Sequence, residues 1–293
     1  MNKLLIVSGP TATGKTALAV KLAKKFNGEL ISADSRQIYQ DMNIGTGKDH
    51  PGDLKIHLID IINPNQSFSV AQYCQLALEK IKKIKSKNKL PIIVGGTGQY
   101  IDSIINPQPT FSIKPNKILR FFLNKFSTFH LQKLYAFLDL KSFLLLNNSE
   151  KNNPHRLIRK IEIYFFRRDS INAVSIPNFN ILHLSLTAPN DFLYQKIDQR
   201  VQTRLNNGLF VEIENLLKKY HWSDPGLNTL AYKEFKTGFT PENINRWRFD
   251  EHRLARRQKT WFKSQSSITF LDITRPDFCQ QAITLVQKWY NLL

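Results

Sequence analysis

Apolar residues gather in short blocks along the first hundred positions, and segments of helical period lie between the blocks. KLLIVSG (3–9) is a compact apolar run closed by glycine, and ELISA (29–33), IHLIDII (56–62) and LPIIVGGTGQY (90–100) read as further strands. TALAVKLAKKF (16–26) and VAQYCQLALEKIKKIKSK (70–87) carry apolar residues at helical spacing, and the cationic last turns of the second suit the helix dipole. Strands alternating with helices predict a parallel sheet with right-handed crossovers. Beyond residue 105 the pattern changes: NPQPTFSIKP (106–115) holds three prolines, and 116–169 reads as several helices, including HRLIRKIEIYFFRR (155–168). Strand character returns at ILHLSLT (181–187), followed by a long helix over 190–220, a strand SITFLD (267–272) and a closing helix over 277–292. The expectation is an α/β core, residues 1–105 and 181–293, interrupted by a helical insertion at 106–180.

Composition narrows the class. At 293 residues with 42% hydrophobic content, the chain is long enough for one elaborated globular domain or two modest ones. Its apolar runs are far shorter than a bilayer span, and the N-terminal MNKLLIVSGP runs into a motif without a cleavage region, so it is read as a strand and not a signal peptide. Cys74 and Cys279 are too few and too isolated for a disulfide framework or a zinc site, and both are expected as buried thiols in a reducing cytoplasm. Forty-two Lys and Arg against 23 acids leave a net charge of +19. That balance favours a polyanionic partner, although a lysine run such as KIKKIKSKNK (80–89) also reads as a solvated face.

One motif carries chemistry by itself. GPTATGKT (9–16) fits G-x-x-x-x-G-K-[ST], with a strand before it and a helix after it. Gly9 and Gly14 permit the tight path that turns backbone N–H groups onto a phosphate; Lys15 can reach the terminal phosphates and Thr16 can hold magnesium. Together these predict a P-loop NTPase-like parallel sheet flanked by helices. The loop implies a polyphosphate or diphosphate ligand without specifying ATP. Phosphoryl transfer needs a second acid at a strand end, and LPIIVGGTG ends in glycines. Asp34, or Asp60 in IHLIDII, is then the acid nearest the phosphates. Asp34 reads in three ways at this level: a solvated turn residue, a metal ligand or a base.

Seven stretches, in order, resemble the tRNA dimethylallyltransferases (tRNA isopentenyltransferases): GPTATGKT, ISADSRQIYQDMNIGTGK, HLIDIINPNQSFSVAQY, PIIVGGTGQY, NNPHRLIRKIEIY, IDQRVQTRLNNGLFVEIENL and RLARRQKTWFK. The resemblance implies transfer of a dimethylallyl group from its diphosphate to N6 of the adenine immediately 3′ of the anticodon in tRNA, with diphosphate released. It implies Asp34 as general base and Lys15 and Arg200 as catalytic cations. A diphosphate site would be made by Gly9, Thr11, Ala12, Thr13, Gly14, Lys15, Thr16 and Arg200, with Mg²⁺ on Thr16. It also implies contacts to the tRNA anticodon stem-loop from Asp34, Ser35, Arg36, Gln37, Thr97, Arg120, Asn152, Asn153, Pro154, His155 and Arg156. The insertion would supply part of this surface, Arg156 and Arg159 sharing one helix face, and Arg253, Arg256, Arg257, Trp261 and Phe262 could line a polyanion channel. A monomer in the cytoplasm, without a membrane partner, is expected.

The chain departs from the family pattern in places. The first of two histidines before LIDI is Ile56, leaving His57, and the acid expected near 153 gives way to Pro154 or is absent. No cysteine/histidine finger follows at the C-terminus, which resembles the bacterial form. Competing readings are a small-molecule kinase, a prenyltransferase acting on free AMP or ADP, and a non-catalytic RNA-binding module.

Overall fold

The computed structural model describes residues 2–48, 52, 54–167 and 178–292. It divides into two compact units, Met1–Ile105 with Asn178–Leu293, and Asn106–Pro177. The first contains β1 (Lys3–Ser8), α1 (Lys15–Lys25), β2 (Gly28–Ser32), β3 (Ile56–His57), α2 (Val70–Lys85), β4 (Leu90–Gly95) and α3 (Gly98–Ile105). Among its described residues the second holds five α-helices, α4 (Lys117–Leu123), α5 (Thr128–Leu138), α6 (Leu140–Leu144), α7 (Asn148–Lys151) and α8 (Pro154–Phe166). The chain then adds β5 (Asn180–Thr187), α9 (Asn190–Asn206), α10 (Leu209–Leu217), α11 (Leu230–Lys233), α12 (Pro241–Lys263), β6 (Thr269–Asp272) and α13 (Phe278–Asn291) to the first unit.

The sheet has six strands in the order β3-β2-β4-β1-β5-β6, every described pairing parallel. Because successive side chains leave a strand on opposite faces, β1 feeds two cores. Leu4 and Ile6 join one cluster with the helices α2, α3, α9 and α12, while Leu5 and Val7 join another with α1 and α13. This burial on both faces is why the strands read as continuous apolar blocks. Parallel strands also deliver all their C-terminal ends, and the loops that follow, to one edge of the sheet.

Three elements differ from the sequence reading. IHLIDII yields only the two-residue β3, because Leu58 and Asp60 take positive φ (64° and 57°) and turn the chain out of the sheet. The helix expected over 190–220 breaks at Gly208, whose left-handed conformation (φ 91°) ends α9 and caps α10. The helix read over 253–263 is longer, 23 residues, and starts at Pro241, behind a Thr240 N-cap. Cys74 is buried as expected, but Cys279 is only partly so. Arg168 and Asp169, the end of the expected 155–168 helix and of the helical stretch, lie outside the described residues.

The insertion unit has its own small core of Leu123, Leu131, Tyr135, Leu146, Leu157, Ile158 and Ile161. Its polar centre is Glu162, whose carboxylate is fully buried. Arg120 grips it with two bonds of 2.6 Å, Arg159 donates at 3.2 Å, and the Asn116 backbone N–H at 2.9 Å.

Candidate functional site

The strand ends of the first unit enclose a cavity of about 660 Å³. One wall is the phosphate loop. Gly9 has φ 139° and sits so close to the Leu186 carbonyl of β5 that any Cβ would collide with it. The buried Thr13 hydroxyl donates to Pro10 O at 2.8 Å and braces the loop from inside; Lys15 Nζ donates to the same carbonyl at 2.7 Å. Thr11, Ala12, Gly14, Lys15 and Thr16 face the cavity, whereas Gly9 and Thr13 do not line it. The sequence reading placed all seven on the diphosphate. Within the structure, Gly9 and Thr13 shape the loop and the other five present it.

The opposite wall grows from the end of β2. Asp34 lines the cavity, and its Oδ1 accepts the Arg36 backbone N–H at 2.9 Å in a side-chain turn. β4 stops in glycine because a Cβ at Gly95 would strike Ala33, just before Asp34, so the strand end next to the loop carries no acid. Thr97 stands just before α3, at the end of β4. Its hydroxyl is engaged by Ser35, accepting the backbone N–H at 3.0 Å, while Thr97 N–H donates to Ala33 O at 3.0 Å. The ends of β2 and β4 are thereby laced together. Asp60, the alternative acid, is taken by the buried Lys48 and does not line the cavity.

α9 and α12 close the remaining side. Arg200 NH1 donates to the Thr11 hydroxyl at 2.9 Å, and its NH2 to Gly47 O at 3.1 Å; Gln37 Nε2 reaches the same carbonyl at 3.1 Å. Three charged or amide side chains of the lining escaped the sequence reading. Arg204, one turn after Arg200, is buried, and burial together with the neighbouring Arg200 charge pushes its guanidinium down to about 10. Glu251 is its counter-charge at 3.6 Å and also stands 3.5 Å from Arg36. Gln258 accepts the Thr11 N–H at 2.8 Å and donates to Gly96 O at 3.0 Å, joining the phosphate loop to the end of β4. The i, i+4 repeat of Arg200 and Arg204 on a helix facing a phosphate loop was the available signal for Arg204; Glu251 and Gln258 had none.

Four cations, Lys15, Arg36, Arg200 and Arg204, thus share the cavity with two carboxylates, Asp34 and Glu251. Val20, Ile56, Val94 and Leu254 add apolar side chains to the lining. Ile56 occupies the position where a histidine was expected, and His57 turns away to Glu29 at 2.9 Å. The arrangement receives an anion, offers a small apolar surface, and sets one oriented carboxylate, Asp34, opposite the phosphate loop.

The remaining sequence-predicted residues lie in the insertion or on α12. Arg120 is committed to Glu162, and so is Arg159, which also donates to Thr110 O and Ile113 O at 2.9 Å. Arg159 therefore does not share an outward face with Arg156, whose guanidinium reaches Ser149 at 3.2 Å. Asn153 caps α8 through the Arg156 N–H, Pro154 opens that helix, Asn152 ends α7, and His155 and Arg156 are exposed. On α12, Phe262 is buried edge-on against His183, and Trp261 packs over Gly98. Arg253, Arg256 and Arg257 line a second cavity of about 490 Å³ with Trp261.

The IPP transferase family model matches residues 37–265, from the segment after Asp34 to the end of α12. The chain belongs to this family. It is 37% identical to a tRNA dimethylallyltransferase of Roseiflexus sp. (strain RS-1), over 99% of the chain and 100% of the relative. A tRNA dimethylallyltransferase of Carboxydothermus hydrogenoformans is 36% identical over 92% of both chains. Among solved structures, the tRNA isopentenylpyrophosphate transferase of Bacillus halodurans aligns with a TM-score of 0.73 and 31% identity, covering 99% of this chain and 97% of that one. A eukaryotic dimethylallyltransferase acting on tRNA aligns with a TM-score of 0.86 over 99% of this chain and 80% of the other, a likeness that at 24% identity concerns the fold. The fold of the first unit is P-loop NTPase-like, and no described helix is long and apolar enough to cross a membrane.

Proposed function

We propose that this chain transfers a dimethylallyl group from dimethylallyl diphosphate to N6 of the adenine 3′-adjacent to the anticodon in tRNA. The observation that carries the reading is the meeting, in one cavity, of a cationic phosphate loop with apolar side chains and a facing carboxylate. β4, the strand next to the loop's own strand, ends in glycine and not in the acid that phosphoryl transfer uses.

The donor's diphosphate lies on the backbone N–H groups of the loop, reached by Lys15 and Arg200, with its five-carbon group toward Val20, Ile56 and Leu254. As the carbon–oxygen bond breaks, its electron pair passes to the diphosphate, and the fixed N–H groups and cations stabilise that charge where it develops. The N6 lone pair forms the new carbon–nitrogen bond, and Asp34 takes the N6 proton as it becomes acidic. Asp34 is ready for this because its Oδ1 is held by Arg36 N–H and its second oxygen is left for the acceptor. Among the described residues no cluster of His, Cys, Asp or Glu could hold a metal by itself. The Thr16 hydroxyl and the Asp34 carboxylate are hard oxygen donors that suit a magnesium ion carried on the diphosphate. Thr16 would hold it, and it would add positive charge beside the leaving group.

The adenine must leave its stack to reach this cavity. Ser35, Arg36, Gln37 and Thr97 line the cavity near Asp34 and receive it there. His155 and Arg156 of the insertion contribute to the anticodon stem-loop surface, with Asn152, Asn153 and Pro154 shaping that segment and Arg120 acting behind it through Glu162. The protein works as a monomer in the cytoplasm. Incubation with labelled dimethylallyl diphosphate, Mg²⁺ and unmodified tRNA tests the assignment. Label is expected at the adenine 3′ of the anticodon and is lost in Lys15→Ala; absence of label from the wild-type reaction overturns it.

A further inference from the structure

Glu212 lies in the first turn of α10, where an acid ordinarily does no more than complement the helix dipole. Here its carboxylate leaves the helix. Oε2 accepts the backbone N–H of Asn43 and of Ile44, each at 2.7 Å, and Oε1 accepts that of Gly45 at 2.9 Å. The hydroxyl of the fully buried Tyr232 donates to Oε1 as well, at 2.7 Å. Three consecutive amides on one carboxylate form an anion-filled backbone nest.

The nest opens a turn that closes with Gly47 N–H on Ile44 O at 3.0 Å and Lys48 N–H on Asn43 O at 3.0 Å. Beyond it, Lys48 is fixed by Tyr39 O at 2.7 Å, Asn43 Oδ1 at 2.9 Å and Asp60. The Gly47 carbonyl at the tip is the acceptor shared by Arg200 and Gln37. A Cβ on Gly47 would push aside the guanidinium groups of Arg200 and Arg204. A long arginine is aimed only as well as its acceptors are fixed, and this acceptor belongs to a loop outside any helix or strand. Glu212 supplies the missing rigidity from outside the cavity, which it does not line.

We infer that Glu212 is a positioning residue for the donor diphosphate, acting through the Asn43–Gly47 turn to hold Arg200 against the phosphate loop. The inference rests on the reading of Arg200 as a diphosphate-binding cation, and it assigns the specificity of donor binding partly to a carboxylate that never touches the donor.

A double-mutant cycle tests it. kcat/KM for dimethylallyl diphosphate is measured at saturating tRNA for the wild type, Glu212→Gln, Arg200→Ala and the double variant, with thermal midpoints as a folding control. Glu212→Gln keeps the shape but turns an amide NH₂ toward backbone N–H groups. It is expected to lower kcat/KM about 10-fold in the wild-type background and less than about 2-fold in the Arg200→Ala background, the signature of residues acting as one unit. A purely structural clamp gives the same fold-loss in both backgrounds, and that result overturns the inference. So does an unchanged kcat/KM for Glu212→Gln alone. Tyr232→Phe removes one donor from the carboxylate and keeps the three amides, so it carries the same cycle at smaller amplitude should Glu212→Gln fail to fold; equal losses in both backgrounds again overturn it. If Arg200→Ala leaves kcat/KM untouched, the donor-site reading itself fails, which separates that failure from one confined to Glu212.

Discussion

Asp34→Asn separates the proton acceptor from the scaffold it stands in. Oδ1 of Asp34 accepts the Arg36 N–H at 2.9 Å, and an asparagine carbonyl oxygen can keep that bond. What the substitution removes is the charge and the free lone pairs of the second oxygen. The side-chain turn therefore persists, and stability should change by no more than about 1 kcal/mol, the difference between a charge-assisted and a neutral hydrogen bond. Turnover should fall much further. A lost general base costs roughly 10²–10⁴-fold, or about 3–5 kcal/mol of transition-state stabilisation. Asp34→Ala forfeits the turn as well, adding about 1 kcal/mol of destabilisation to the same kinetic loss. Single-turnover transfer of labelled dimethylallyl to tRNA, beside tRNA affinity and thermal midpoint, reads the effects separately. A turnover within about 3-fold of wild type refutes the base assignment. Restoration of Asp34→Asn by raised Mg²⁺ would move Asp34 to the metal-ligand role that the sequence left open.

Three further outcomes follow from the structure. His183 is buried against Ser8 and its imidazole is pushed down to about 4 by burial, from an ordinary 6.5. The unfolded chain binds the proton that the fold refuses, so stability is full above about pH 6.5 and falls by on the order of 3 kcal/mol on the way to pH 4. His183→Gln should flatten that interval in denaturation curves, and an unchanged slope rejects the residue as its source. Glu162→Gln leaves Arg120 and Arg159 without their counter-charge; because both reach solvent, the loss should be about 2 kcal/mol rather than the 3–5 of a fully buried pair. Limited proteolysis within 106–167 should accelerate while the first unit resists. Gly47→Ala strains a φ of 61° by about 1–2 kcal/mol and displaces Arg200, so the KM for dimethylallyl diphosphate should rise while tRNA still binds.

The parts of this molecule that could be read from sequence are those whose physics is local. Strands buried on both faces announce themselves as apolar blocks, and GPTATGKT specifies its own path because only that spacing turns amides, a lysine and a hydroxyl onto one phosphate. Asp34 was readable for a topological reason: in a parallel sheet the residue after any strand opens on the loop's edge. Local reasoning failed where the partner was remote. IHLIDII has the apolar density of a strand, yet the Leu58 and Asp60 conformations are imposed by Ile61 and Ile62 pairing with the 38–40 segment and by Lys48 seizing Asp60. In the insertion, Arg120 and Arg159 resembled surface cations until Glu162, from the same helix as Arg159, was seen to draw both inward.

Glu212 shows the limit most clearly. Nothing distinguishes it in GLFVEIENL from a solvated acid near a helix start, because its ligands are backbone amides 167 to 169 positions earlier and carry no side-chain signature. The same holds for Glu251, and Arg204 too reads as a surface charge unless it is set beside Arg200 one turn earlier. Together they form a buried pair, and Arg36 and the Trp247 N–H add to the partners that offset the burial of Glu251. The catalytic groups of such a site can be found by motif, since chemistry constrains their identity. The groups that aim them are constrained only by position, and position is what the fold adds.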